Sequence, residues 1–186
     1  LQNPATVGEI TFEQGATTFR NRVRDQAVDN PLTFQTAQGN ALVRVNGTGT
    51  GWAEFEFASQ CILASPLTLE VNNTAGSPDF GALRLRTLWS GPGGLVKTGP
   101  GLVSLTGEGK LYQGPTVIGE GVLRVTSTAT PSATASVSVL PGGQLRLVSD
   151  GTPLYQFGGT LALEGAGRAD GIPDDTGFGK LGALRY

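Results

Sequence analysis

Two carboxylates, Glu54 and Glu56, alternate along the aromatic stretch from Trp52 to Phe57, and a pair of carboxylates is the minimum apparatus for cleaving a glycosidic bond. The two-residue period of a strand puts both on one face, with Phe55 and Phe57 as the buried alternates. Acid–base work of that kind needs one carboxyl in a desolvated setting. Neighbouring glutamates on an exposed face have none, so the pair reads first as a solvated strand surface. A second acidic group, Glu164, Asp170, Asp174 and Asp175, lies near the carboxyl end. Calcium takes about six to eight oxygens, of which Asp170, Asp174 and Asp175 could supply a few. Their spacing matches neither an EF-hand nor a glycine–aspartate nonapeptide repeat. They stand as weak calcium candidates beside the preferred reading, a solvated acidic loop.

The remaining reactive residue types are sparse. There is no histidine, hence neither the commonest general base nor the commonest metal ligand. The single cysteine, Cys61, lies in the apolar run Cys61-Ile62-Leu63-Ala64 and reads as a small core residue; alone, it forms no internal disulfide and no cysteine zinc cluster. The formal charge is −2 and basic residues are scattered, whereas nucleic-acid binding needs a basic stripe. Arg20, Arg22 and Arg24 come nearest to one. They alternate on an extended segment diluted by Asp25 and Asp29, and read as a solvated edge. Trp52, Trp89, Tyr112 and Tyr155 could stack on sugars, but core and corner packing explains them equally well. No catalytic residue and no cofactor is expected.

The elements that must position these side chains are strands. Glu9-Ile10-Thr11-Phe12, Leu67-Thr68-Leu69-Glu70-Val71, Leu123-Arg124-Val125, Leu145-Arg146-Leu147 and Leu161-Ala162-Leu163 all alternate with a period of two and stop at Gly, Pro, Asn or Asp. No segment sustains a helical apolar stripe, and none is long and apolar enough to span a membrane. With 29 glycines, 11 prolines and only 15% charged residues, the chain reads as many short strands joined by tight turns in a single domain, 1–186.

The strands also echo one another. Leu32 and Leu67 open similar strands 35 residues apart (67 − 32), and Gly81-Ala82-Leu83-Arg84 returns as Gly182-Ala183-Leu184-Arg185, an offset of 101 (184 − 83). The pattern Gly-x-Leu-x-aliphatic recurs at Gly121, Gly143 and Gly159 with uneven spacings of 22 (143 − 121) and 16 (159 − 143). Irregular returns of one strand signature fit stacked coils with loops of variable length. A β-sandwich would favour Asn-Gly hairpins, and Asn46-Gly47 alone offers one, beside the poor partner strand Thr48-Gly49-Thr50-Gly51. The expected fold is therefore an all-β parallel β-helix, with aliphatic ladders inside and glycine at the corners.

Residues 94–125 carry a closer likeness: Gly94, Leu95, Lys97, Gly99, Gly101, Leu105, Gly107, Tyr112, Gly114, Thr116, Gly121, Leu123 and Val125. In this order they resemble the autotransporter-associated β-strand repeat, also called the passenger-associated transport repeat. Lys110 stands where that family usually has Asn, so the corner there is expected to differ. The resemblance implies a right-handed β-helix, secretion to the cell exterior and no chemistry in the repeat itself. In such a coil the six glycines would turn corners. Leu95, Leu105, Val117, Leu123 and Val125 would fill the interior, with Lys97 and Arg124 pointing outward.

A signal peptide removed before Leu1 would fit this placement. Asn46-Gly47-Thr48 and Asn72-Asn73-Thr74 are formal glycosylation acceptors, and the Ser/Thr-dense run Thr126–Ser138 reads as a flexible corner or an O-glycan ridge. Neither end shows a polar cap, so the expected partner is a second copy stacked end to end, each copy adding about 35–45 Å if coils hold 20–25 residues. The expected role is a filament subunit or a section of an adhesin stalk on the cell surface. The alternative is a module that binds or cleaves host or surface glycans.

Overall fold

The structure, a computed structural model, describes residues 4–15, 20–24, 30–56, 60–77, 80–107, 109–134, 136–149, 151, 155–167 and 182–185. The chain winds through coils that deposit strands in turn on three faces. The first coil lays down β1 (Ala5–Val7), β2 (Glu9–Gln14) and β3 (Asn21–Arg24). The second gives β4 (Leu32–Phe34), β5 (Ala41–Gly47) and β6 (Ala53–Glu56), and the third β7 (Cys61–Leu63), β8 (Leu67–Val71) and β9 (Leu83–Leu85). The fourth holds β10 (Trp89–Gly91), β11 (Leu95–Thr98) and β12 (Leu102–Leu105), and the fifth β13 (Lys110–Tyr112), β14 (Thr116–Ile118) and β15 (Gly121–Thr126). A short 3-10 turn, Ser127–Ala129, then leads to β16 (Ser136–Val139) and β17 (Gly143–Val148), followed by β18 (Thr160–Leu163) and β19 (Leu184–Arg185).

Every named strand pairing is parallel. The strands form a five-stranded sheet A, β1-β4-β7-β10-β13, and two seven-stranded sheets, B (β18-β16-β14-β11-β8-β5-β2) and C (β19-β17-β15-β12-β9-β6-β3). The molecule is a parallel β-helix, as the strand period and corner glycines predict. Coil length varies. Along sheet B, Ala41, Leu67, Leu95, Thr116, Val137 and Leu161 are successive register partners. Along sheet C the partners Leu83, Val103, Leu123, Leu145 and Leu184 stack inward. The seven strands that sheets B and C each hold among the described residues give a rise of about 33 Å at the usual strand spacing, just below the expected range because the early coils run longer than 20–25 residues.

The interior is aromatic toward the first coils. Phe34 stacks on Trp89 at 5.6 Å, and Phe55 meets both edge-on at 5.8 and 5.7 Å. Later coils fill the same space mainly with Val, Leu and Ile, beside the buried ring of Tyr112. Cys61 is buried in this core, as its apolar run implies.

Corner glycines are enforced by close approach of neighbouring coils. At Gly121, φ is +72° and an added Cβ would lie 2.5 Å from the carbonyl oxygens of Gly99 and Gly101. Gly94 and Gly114 abut so closely that a Cβ on either would strike the other's coil within 2.4 Å.

Three expectations about facing are overturned. Lys97 shares the period-2 parity of Leu95 in β11 and so lies inside, 1% exposed. In β14 the inward residues are Thr116 and Ile118, and Val117 lies half-buried on the outer face. The run from Thr126 is no exposed ridge, because Thr126, Ser127, Thr130 and Thr134 are buried. Thr130 Oγ1 donates to Ser127 O at 2.8 Å and Thr134 Oγ1 to Gly114 O at 2.6 Å, so hydroxyls satisfy backbone carbonyls where the 3-10 turn interrupts the strand pattern.

Candidate functional site

The expected glutamate pair sits on the outer face of sheet C, and register explains its setting. In β6 the inward residues are Ala53 and Phe55, which sends Glu54 and Glu56 outward. Their neighbours across the ladder are arginines: Arg22 and Arg84 flank Glu54, and Arg24 faces Glu56. Glu54 is not solvated. It is 0% exposed, paired with Arg20 Nε and with Arg84 Nη1 at 3.4 Å, and it accepts a hydrogen bond from Trp52 Nε1 at 3.3 Å.

An aromatic lid completes the cover. Trp52 and Phe80 pack at 5.5 Å, Arg20 lies over Trp52, and the Arg84 guanidinium sits 3.9 Å from the centre of Phe80. Burial lowers the Arg84 proton affinity from its ordinary value and the Glu54 charge opposes that change. Glu56 remains half-exposed and binds Arg22 at 2.7 Å and Arg86 at 2.9 Å. The arginines expected as a solvated edge are thus, for Arg20 and Arg22, half of an ion-pair network. The arrangement holds both carboxylates as counter-ions that tie the first three coils together. Phe57 lies outside the described residues, as do Asp170, Asp174 and Asp175. Glu164 is exposed. Among the described residues no group of three or more potential metal ligands occurs, and no helix is long and apolar enough to cross a membrane.

The residues of the repeat-like pattern, in contrast, lie along the fourth and fifth coils. Leu95, Leu105, Leu123 and Val125 are buried, while Arg124 lies half-buried on the outer face. The side chain of Lys97 occupies an interior column between Leu69 and Ile118. Its ammonium reaches the corner and donates to Thr98 O (2.8 Å), Gly99 O (2.6 Å) and Glu120 O (3.0 Å). Carbonyls that the turn leaves facing inward thereby find a charged donor, and one lysine bridges two coils.

Lys110 does the same one face away. It is 0% exposed and donates to Thr87 O and Thr106 O at 2.9 and 3.0 Å. Tyr112 shares that inward face and its hydroxyl pairs with Thr116 Oγ1 at 2.7 Å, while burial pushes the phenol well above its ordinary value. Leu111 between them is exposed, so β13 inverts the usual apolar-in pattern.

Sequence reasoning missed Gln14 and Asn73. Asn73 is buried and donates to Gln14 Oε1 at 2.6 Å and to Gly49 O at 2.8 Å, knitting the corner between sheets B and C. The usable signal was the Asn-Asn step at a strand end, where amides replace missing ladder bonds. Comparison with protein-family models, with curated proteins and with solved structures returned no match in any of the three.

Proposed function

We propose that this chain is a non-catalytic structural β-solenoid of the bacterial cell exterior, working as a head-to-tail filament subunit or as a section of an adhesin-like stalk. The observation that carries this reading is the condition of the coil ends. Interior columns run through the stack and reach its last strands uncovered: Leu161, Leu163 and Leu184 are 39%, 44% and 37% exposed. Leu163 continues the column Ile10, Val43, Leu69, Lys97, Ile118, Val139. At the opposite end Ile10 and Phe12 are only half-buried. The edges of β2 and β18 pair with no further strand among the described residues. An open parallel edge with matching apolar columns at both ends favours another coil, from a second copy or from more of the same solenoid. The likeness of residues 94–125 to the autotransporter-associated repeat supports placement at the cell surface.

Negative-stain microscopy of the purified chain separates the two forms. A filament subunit gives fibres with an axial repeat of about 33 Å (seven coils at the usual strand spacing), abolished by the double substitution Leu161→Glu, Leu163→Glu. A stalk section gives monomers in which the same substitution leaves particle size unchanged. Reducing sugar released from polysaccharides by the wild-type chain would overturn the non-catalytic reading.

A further inference from the structure

The two ends of sheet B differ in shape, and the differences match. On the last strand, β18, Leu161 and Leu163 stand exposed, and Gly165, two places beyond Leu163, carries no side chain. On the first strand the order of bulk is reversed. Gly8 shares the inward parity of Ile10 and Phe12 and leaves a gap, while Phe12 is a half-buried ring two places beyond Ile10. Register carries these positions onto one another. The column that starts at Gly8 and Ala41 ends in Leu161, and the column of Ile10 ends in Leu163.

We infer that a second copy of this chain docks its β2 in parallel on β18, with Leu163 on Ile10, Leu161 over Gly8 and Phe12 over Gly165. The inference rests on the filament form of the proposed function and fixes the polarity and register of the joint. Large side chains then meet glycines, which lets the two coils approach to the close packing of an interior. The outward residues fit as well. Ala162 lies beside Glu9, and Glu164 beside Thr11 with Arg44 one coil further along that column, so no like charges face each other across the sheet B seam. Joining two first coils instead puts Glu9 and Glu13 of both copies on one seam. Joining two last coils pairs Leu161 and Leu163 among themselves and leaves Ile10 and Phe12 uncovered. Sheet C adds no match: Leu184 meets Asn21, and Arg185 meets Arg22, whose charge Glu56 offsets at 2.7 Å. The joint is therefore assigned to sheet B.

The test is oxidative cross-linking of the full chain, read on non-reducing gels. Cys61 is buried, so the wild-type chain serves as the reference. The exposed pairs Glu9→Cys with Ala162→Cys, and Thr11→Cys with Glu164→Cys, are partners across the joint. Neighbouring strands set such partners about 4.7–4.9 Å apart, within the ~4.4–6.8 Å that a disulfide spans. Each pair therefore yields a covalent ladder of dimers, trimers and longer chains. The pair Thr11→Cys with Ala162→Cys is offset by two residues, about 8 Å along the diagonal and beyond the ~7 Å reach of a disulfide, so it stays monomeric, as does each single variant. Dimers from Ala162→Cys alone or from Glu9→Cys alone would overturn the polarity, and a ladder from the offset pair would overturn the register. Wild-type fibres whose matched pairs do not cross-link would sink this joint and leave the filament reading standing. A wild-type chain that stays monomeric under the microscope would remove both.

Discussion

Lys97 shows how a single side chain can close a coil. Its ammonium replaces water for three carbonyls, those of Thr98 and Gly99 at its own corner and that of Glu120 in the next coil. Lys97→Met keeps the stem and removes the donor, leaving those carbonyls buried and unmet. The expected loss is about 1–3 kcal/mol, read from urea unfolding. Leu123 tests the aliphatic column itself: it is 1% exposed between Val103 and Leu145. Leu123→Ala should lower stability by about 2–5 kcal/mol, and an unchanged urea midpoint would show that the column is not packed as described. Both residues stood out in the sequence by the repeat-like pattern of residues 94–125, but only the leucine's facing was legible there. Lys97 was expected outside because charged side chains seldom lie buried, although its parity with Leu95 already placed it inside.

At the scale of elements, the outer face of sheet B is held by a polar ladder. Arg44 on β5 pairs with Glu70 on β8 at 3.1 Å and with Glu9 on β2 at 3.4 Å. Asn72 donates to Glu70 and to Asn46, which in turn donates to Glu13. The Arg44 hydrogen bond, then that of Asn72, holds the Glu70 carboxyl below its ordinary value of 4.5. A depressed carboxylate stabilises the fold above its unfolded value, and that contribution disappears as pH falls through the lower folded value. Thermal melts should therefore show stability declining as pH drops below 4.5, with a shallower decline in Glu70→Gln. Equal acid sensitivity in both proteins would assign the effect to other carboxylates.

Over the whole molecule, stability should be graded along the axis rather than uniform. Central coils, such as the one holding β10, β11 and β12, are paired on both sides, whereas β1, β2, β3, β18 and β19 each lack one neighbour among the described residues. In a stacked solenoid each coil is stabilised chiefly by the coils beside it. Amide hydrogen exchange should be slowest in β8, β11 and β14 and fastest in β18 and β2. If the chain forms filaments, protection at β2 and β18 rises with assembly while the centre stays unchanged. Uniform protection from end to end would contradict the nearest-neighbour picture.

Local pattern alone determined that this chain is all-β and coiled in parallel, because strand alternation and the bend at glycine depend on residues a few positions apart. The returns at Gly81, Gly121, Gly143 and Gly182 mark one column of sheet C, since the leucines two places on, from Leu83 to Leu184, are stacked partners. The same motif at Gly159 belongs to sheet B, and the echo of Leu32 in Leu67 joins strands of different sheets, so similarity of strands did not reveal which face each one occupies. That assignment came only with tertiary structure. Register joins residues some twenty to forty positions apart through loops of unequal length, for example Leu145 with Leu184. It placed Glu54 under arginines, Lys110 inside a coil, and Arg124, Arg146 and Arg185 in one row. No local period carries that information, because the loops between coils set it by their length.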